Sequence, residues 1–161
     1  MSAVLSFRLD DIAAKAELAR LEHVAADPQP IMDAIGAGLV TSTQMRFEQE
    51  QGPDGNPWPR SIRAIAEGGS TLRKSARLYQ SITHRATASQ VEVGTNVIYA
   101  AVHQFGAKIV AKAAKGLRFK IGDMWVTKRS VTIPARPFLG IGAGDREMIV
   151  DVIADALRAA Q

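Results

Sequence analysis

Three histidines, His23, His84 and His103, are the side chains best suited to acid–base or metal chemistry near neutral pH. They fall in three separate segments, and none forms a metal-spaced pair. No HExxH, paired-Asp or nucleophile-elbow pattern occurs. The chain has no cysteine, which excludes disulfides, thiolate zinc sites and cysteine nucleophiles. Gly140-x-Gly142-x-Gly144-Asp145 leads from an extended stretch into a helix, where backbone N–H groups can cradle a phosphate. The spacing is not GxGxxG, no lysine follows, and Asp145 would repel an anion, so this reads as a helix entry. His103, beside Phe105, reads as a structural histidine. No catalytic, metal or cofactor-binding residue is assigned, and no cofactor is expected.

The elements that would carry any site are legible from periodicity. Leu5, Phe7 and Leu9 share one face of a short strand over 3–9, and Asp10-Asp11 caps a helix of about 11–25. Ile31, Ile35, Leu39, Thr43 and Phe47 lie four apart and predict a long helix from about 28 to 50. Gly36 and Gly38 are costly inside it and suggest close approach by another element. Residues 52–59, GPDGNPWP, form a turn-rich loop. Trp58 within it folds back on a core edge or meets a partner, the first being preferred. Residues 61–79 are weakly helical and broken at Gly68-Gly69. Strands at about 80–86 and 90–95 and a short helix at 97–105 ending at Gly106 follow.

LRFKI and MWVTK flank Gly122-Asp123, a two-residue hairpin turn. That register places Leu117, Phe119, Ile121, Met124 and Val126 on one face. Arg118, Lys120, Trp125, Thr127 and Arg129 fall on the other. Prolines extend residues 133–140, and a final helix of about 145–160 carries an apolar stripe from Met148 to Leu157.

With 161 residues, 47% hydrophobic and 22% charged, the chain fits one domain and excludes wholesale disorder. No apolar run approaches the ~20 residues a membrane span needs. The start, MSAVLSFRLDD, does not read as a signal peptide, so use without secretion is expected. The net +4 hides a polar layout: −5 over residues 1–59, +10 over 60–130 and −1 over 131–161. A basic middle suits an anionic partner or a solvated face. Aromatics are only 6%, and no helix-turn-helix, zinc-finger or RNP pattern is present, so sequence-specific nucleic-acid recognition is not expected. Nonspecific contact with passing DNA stays open.

Four segments occur in one order: RFEQEQGPDGNPWPR at 46–60, TLRKSARLYQSI at 71–82, VEVGTNVIYAAVHQFGA at 91–107 and IPARPFLGI at 133–141. As a set they resemble the phage virion morphogenesis family, the tail-completion or head–tail joining proteins of Mu-like and P2-like phages and prophages. The matching positions are Gly52, Pro53, Gly55, Trp58, Gly94, Tyr99, His103, Gln104, Phe105, Gly106, Pro134, Arg136, Pro137, Phe138 and Leu139. Residues 108–132 are less constrained in the pattern.

The resemblance implies a non-enzymatic structural protein of the virion, assembled in the host cytoplasm. It would form a ring in the neck that completes the tail and joins it to the head. Implied partners are other copies of itself, the head connector or adaptor, and tail terminator or tail-tube proteins. Packaged DNA is a possible nonspecific contact, and no membrane is involved. The expected fold is α+β: a small, mostly antiparallel sheet with a β-hairpin, packed against two long helices and a C-terminal helix. It makes one domain over 1–161 with a basic hairpin extension at about 107–130. Trp58, Arg60, Arg136 and Phe138 are expected at protein interfaces. Lys115, Arg118, Lys120, Trp125, Lys128 and Arg129 are expected to form a basic lumen or partner face. Alternatives are a head-morphogenesis factor absent from the finished joint and a nonspecific nucleic-acid-binding protein.

Overall fold

Phe47 has no exposed surface, and the rest of the core gathers around it: Trp58, Leu78, Ile82, Val97, Ala100 and Phe138. In the computed structural model, which describes Ala19, Glu22 and residues 26–159, Phe47 is presented by helix α1, Gln29–Gln49. The aromatic contacts are edge-on or tilted, with ring centroids 5.4 Å away for Trp58, 6.1 Å for Tyr79 and 5.1 Å for Phe138. These are the favourable arrangements for ring quadrupoles.

The predicted stripe is the buried face of α1, with Ile35, Thr43 and Phe47 fully inside. The Asp27 carboxylate accepts the Gln29 N–H at 3.3 Å near the start of α1. At its far end, Glu50 turns left-handed, at φ 54°. The chain then folds back so that the Trp58 N–H reaches the Glu50 carbonyl at 2.7 Å.

Helix α2, Ile62–Glu67, is capped by Ser61, whose hydroxyl accepts the Ala64 N–H at 3.1 Å. One further turn, α3, Arg77–Gln80, carries Leu78 into the core. Strands β1, Thr83–Ala86, and β2, Val91–Gly94, pair antiparallel and pack on α1. Helix α4, Ala100–Phe105, ends at Gly106 as expected.

From Gly106 the chain leaves as a ribbon. Strands β3, Ala107–Val110, and β6, Ser130–Ile133, pair antiparallel. Nested between them is the β4–β5 hairpin, Leu117–Ile121 with Met124–Lys128, in the predicted register of Ile121 opposite Met124 and Phe119 opposite Val126. The C-terminal helix α5, Ala143–Ala159, returns to lie along α1.

The class is α+β, with small antiparallel sheets. Among the described residues the strands divide into three separate two-stranded ladders rather than one sheet. The first ladder belongs to the core, and the other two lie in series along the ribbon. The strand expected at 3–9 and the helix at 11–25 lie outside the described residues, apart from Ala19 and Glu22, both helical. Among the described residues one long helix, α1, accompanies the C-terminal one.

Both glycines of α1 sit at close approaches. A Cβ at Gly36 would overlap the imidazole of His84 on β1, a ring held by Asp33 at 2.9 Å. A Cβ at Gly38 would meet only the thioether end of Met148, at 2.6 Å, which can swing away. The two positions should therefore respond differently to alanine. Gly36→Ala should lose about 1–3 kcal/mol through overpacking. Gly38→Ala should be near neutral or better, because replacing a helical glycine returns up to ~1 kcal/mol. Urea unfolding of both variants checks this, and equal losses would contradict it.

Candidate functional site: interlocked loops and a basic arm

A loop that runs through a core must match every buried backbone N–H and C=O with a partner. Residues 136–142 do so with side chains drawn from three distant segments. Trp58 donates its indole N–H to the Pro137 carbonyl at 2.9 Å. The Arg46 guanidinium donates to the carbonyls of Phe138 at 2.9 Å and Gly140 at 2.8 Å. Gln104 makes a three-point clamp: its side-chain oxygen accepts the N–H groups of Phe138 and Leu139, both at 3.0 Å, and its amide donates to the Leu139 carbonyl at 2.9 Å. The Arg136 N–H donates to the His103 carbonyl at 2.7 Å, and its Nε donates to the Pro59 carbonyl at 2.6 Å. The motifs that stand apart in sequence are thus halves of one hydrogen-bonded joint.

This geometry corrects part of the expected interface. Trp58, Arg136 and Phe138 are 5%, 4% and 0% exposed, so little of them is left to meet a partner. The prolines that extend residues 134–137 lay the segment across the core instead of projecting it. The Arg136 guanidinium meets a backbone carbonyl, that of Pro59, rather than an acidic neighbour. Arg60 does remain exposed, and its guanidinium reaches the carbonyls of Ala64 at 3.2 Å and Gly69 at 3.4 Å.

Two charged residues that sequence reading left without a role complete the joint. Arg46 and Asp145 form an ion pair with both side chains inside the protein, at 7% and 3% exposure. Asp145 also accepts the Gly142 N–H at 2.6 Å, closing the entry to α5. The glycine-rich turn therefore holds its own carboxylate where an anion would have to sit. Burial pushes the Asp145 carboxyl upward. The Ser42 hydroxyl, the Gly142 N–H and the Arg46 charge outweigh it, leaving the pKa below the usual carboxylate value. One signal was available for Arg46: it adjoins Phe47 at the edge of the apolar stripe of α1, where a cation needs an internal partner.

His103 is half-buried, its ring edge-on to Tyr99 with centroids 5.9 Å apart. Its Nδ1 is enclosed and makes no hydrogen bond. Burial, and secondarily the Arg136 charge, hold its pKa below the usual value, so the neutral ring is the favoured form. Among the described residues, no group of three His, Asp or Glu side chains could hold a metal ion. Nor is any helix there long and apolar enough to cross a membrane.

The arm at 107–133 is the second feature. Lys108, Lys112, Lys115, Arg118, Lys120, Lys128 and Arg129 are all exposed, against the single acid Asp123. Arg118 stacks over the Trp125 ring at 4.6 Å, and Lys120 pairs with Asp123 at 3.2 Å. The pairing register puts Arg118, Lys120, Trp125 and Thr127 on one face. Lys128, opposite Leu117, falls at the open end of the other. Of the expected basic face, Lys128 is therefore the residue the register displaces.

Breaking a buried pair by removing one partner leaves an uncompensated charge and costs about 3–5 kcal/mol. Arg46→Met and Asp145→Asn should each lose about that much, and the double variant should lose less than their sum. The sign with pH follows from the lowered carboxyl. Between its folded pKa and the unfolded value of ~3.9 the unfolded chain binds more protons, so stability is lost as pH falls through that window. Denaturant titrations from pH 7 to pH 3 should show this acid loss in the parent and a shallower one in Asp145→Asn.

With the joint and arm defined, the likenesses to other proteins can be placed. The sequence profile of the phage virion morphogenesis family matches residues 9–158. A relative in Haemophilus influenzae, the Mu-like prophage FluMu G protein 2, is 32% identical over 138 residues, covering 86% of this chain and 84% of the relative. The putative capsid assembly protein G of Escherichia phage Mu is 27% identical over 169 residues, covering 99% and 98%. No solved structure matches the chain. The family match spans both the joint and the arm, and on this ground the chain belongs to the phage virion morphogenesis family.

Proposed function

We propose that this protein is a non-enzymatic structural subunit of the virion that completes the tail and joins it to the head connector. In this reading it works as a ring in the neck. Its partners are further copies of itself, the connector or adaptor above, and tail terminator or tail-tube proteins below. The observation that carries the proposal is the chemistry of the surface. Ile98 is 97% exposed, Phe105 78% and Met124 71%, with Ile62 and Ile65 also open. Large apolar side chains grouped on a surface mark places that other proteins cover, and Ile98 and Phe105 are such a group. Ile98 and Phe105 rim an apolar groove that Val97, Ala100 and Ala101 also line. The buried joint, by contrast, spends its polar groups on internal hydrogen bonds.

A second reading has one observation behind it: the Mu relative is described as a putative capsid assembly protein. A protein of that kind would act while heads are built. Electron microscopy of particles made without this protein separates the two. Filled heads beside complete but unattached tails are expected for tail completion. Absent or misshapen heads with normal tails would overturn it in favour of head assembly. Particle mass spectrometry should also find the protein in finished virions at ring stoichiometry.

A further inference from the structure

We infer that the β3–β6 and β4–β5 ribbon is a binding arm for the phosphate backbone of duplex DNA, without base readout. The inference rests on the chemistry of the arm alone and stands or falls separately from the neck reading. Charge is the first ground. Within residues 107–133 seven exposed cations face one carboxylate, and that carboxylate is already held by Lys120. The remaining six have no acidic partner among the described residues.

Their distribution is the second ground. Arg118 and Lys120 lie on one face of the hairpin and Lys128 on the other. Lys108 is on β3, while Lys112 and Lys115 lie in the segment joining the two ladders. Cations spread along a rod match an extended polyanion better than a compact acidic spot on a protein. Each strand of the distal hairpin has five residues, or about 17 Å at ~3.4 Å per residue. That spans several phosphates of a duplex, and a two-stranded ribbon is narrow enough for the major groove.

Trp125 is the third ground, and it decides which nucleic-acid chemistry is used. Single-strand binders offer bare aromatic faces for bases to stack on. Here the guanidinium of Arg118 covers one face of Trp125 at 4.6 Å, so the ring orients a cation instead of receiving a base. Phosphate contact remains, and it does not depend on sequence.

The test uses the full-length protein and a fluorescently labelled random 30-base-pair duplex, followed by anisotropy from 50 to 200 mM salt. Binding should weaken steeply with salt, since each phosphate contact contributes about −0.9 to the log–log slope. Arg118→Ser, Lys120→Ser and Arg129→Ser combined should flatten that slope by about 2.7 at ~0.9 per contact. Arg77→Ser, Arg85→Ser and Arg146→Ser combined remove the same charge away from the arm and should leave it nearly unchanged. All six side chains are exposed, so both variants should melt like the parent. The chain has two tryptophans and Trp58 is buried, so DNA-dependent quenching should report Trp125. Absence of salt-dependent binding would overturn the inference. So would equal weakening in the two variants, which marks diffuse charge, or polyglutamate competing as well as duplex DNA, which marks an acidic protein partner.

Discussion

One buried guanidinium organises the centre of this protein. Arg46 donates to two backbone carbonyls of the 136–142 loop, to Ser42 on its own helix and to Asp145 at the head of α5. A guanidinium taken out of water must find acceptors for its donors, and only this arrangement of α1, loop and α5 supplies them. The requirement runs the other way as well. The loop crosses the core with carbonyls that regular secondary structure does not satisfy, and the cation is the group that satisfies them. Helix, loop and second helix are tied at one point, so the pair fixes their mutual placement more than it adds net stability.

The same need explains why the family-like motifs appear where they do. Gln104 carries both a donor and acceptors on one short planar group, so it alone can clamp two N–H groups and a carbonyl of the same loop. Gly106, at φ 73°, turns the chain out of α4 with its Cα 'face' against the loop. A Cβ there would lie 2.9 Å from the Ala135 nitrogen and 3.0 Å from the Ile133 carbonyl. The segments around 58, 104 and 136 are parts of one packing device. They shape a rigid hub, and the surfaces that meet other molecules lie outside it.

Local patterns in the sequence were enough for the elements that depend on local chemistry. The β4–β5 register follows from a two-residue Gly122-Asp123 turn between alternating strands, and the buried face of α1 from spacing of four. Pairing of β3 with β6 was not legible, because it closes over nineteen intervening residues and each strand is only four long. Burial of Arg136 was missed for a related reason. Its partners are the backbone carbonyl of Pro59 and the core around His103, and backbone acceptors leave no mark on composition. The role of Asp145 is hidden for the same reason, because its partner Arg46 lies 99 residues away.

Separating hub from arm also accounts for the charge layout. The cations of the middle segment are left outside a core in which Arg46, Arg136 and Asp145 are the buried charges among the described residues, so they project. A ribbon of two short ladders in series projects them while keeping its backbone paired. Gly116, at φ 79°, marks the joint between the ladders, where a Cβ would press on Thr127 at 3.0 Å and the Lys128 carbonyl at 3.1 Å. The arm's direction is therefore set by backbone geometry at Gly106 and Gly116 together with the contact of β4 on α2. Substitutions among its exposed cations can change what the arm binds without disturbing the Arg46 joint, which leaves charge on the arm free to vary while the hub stays constrained.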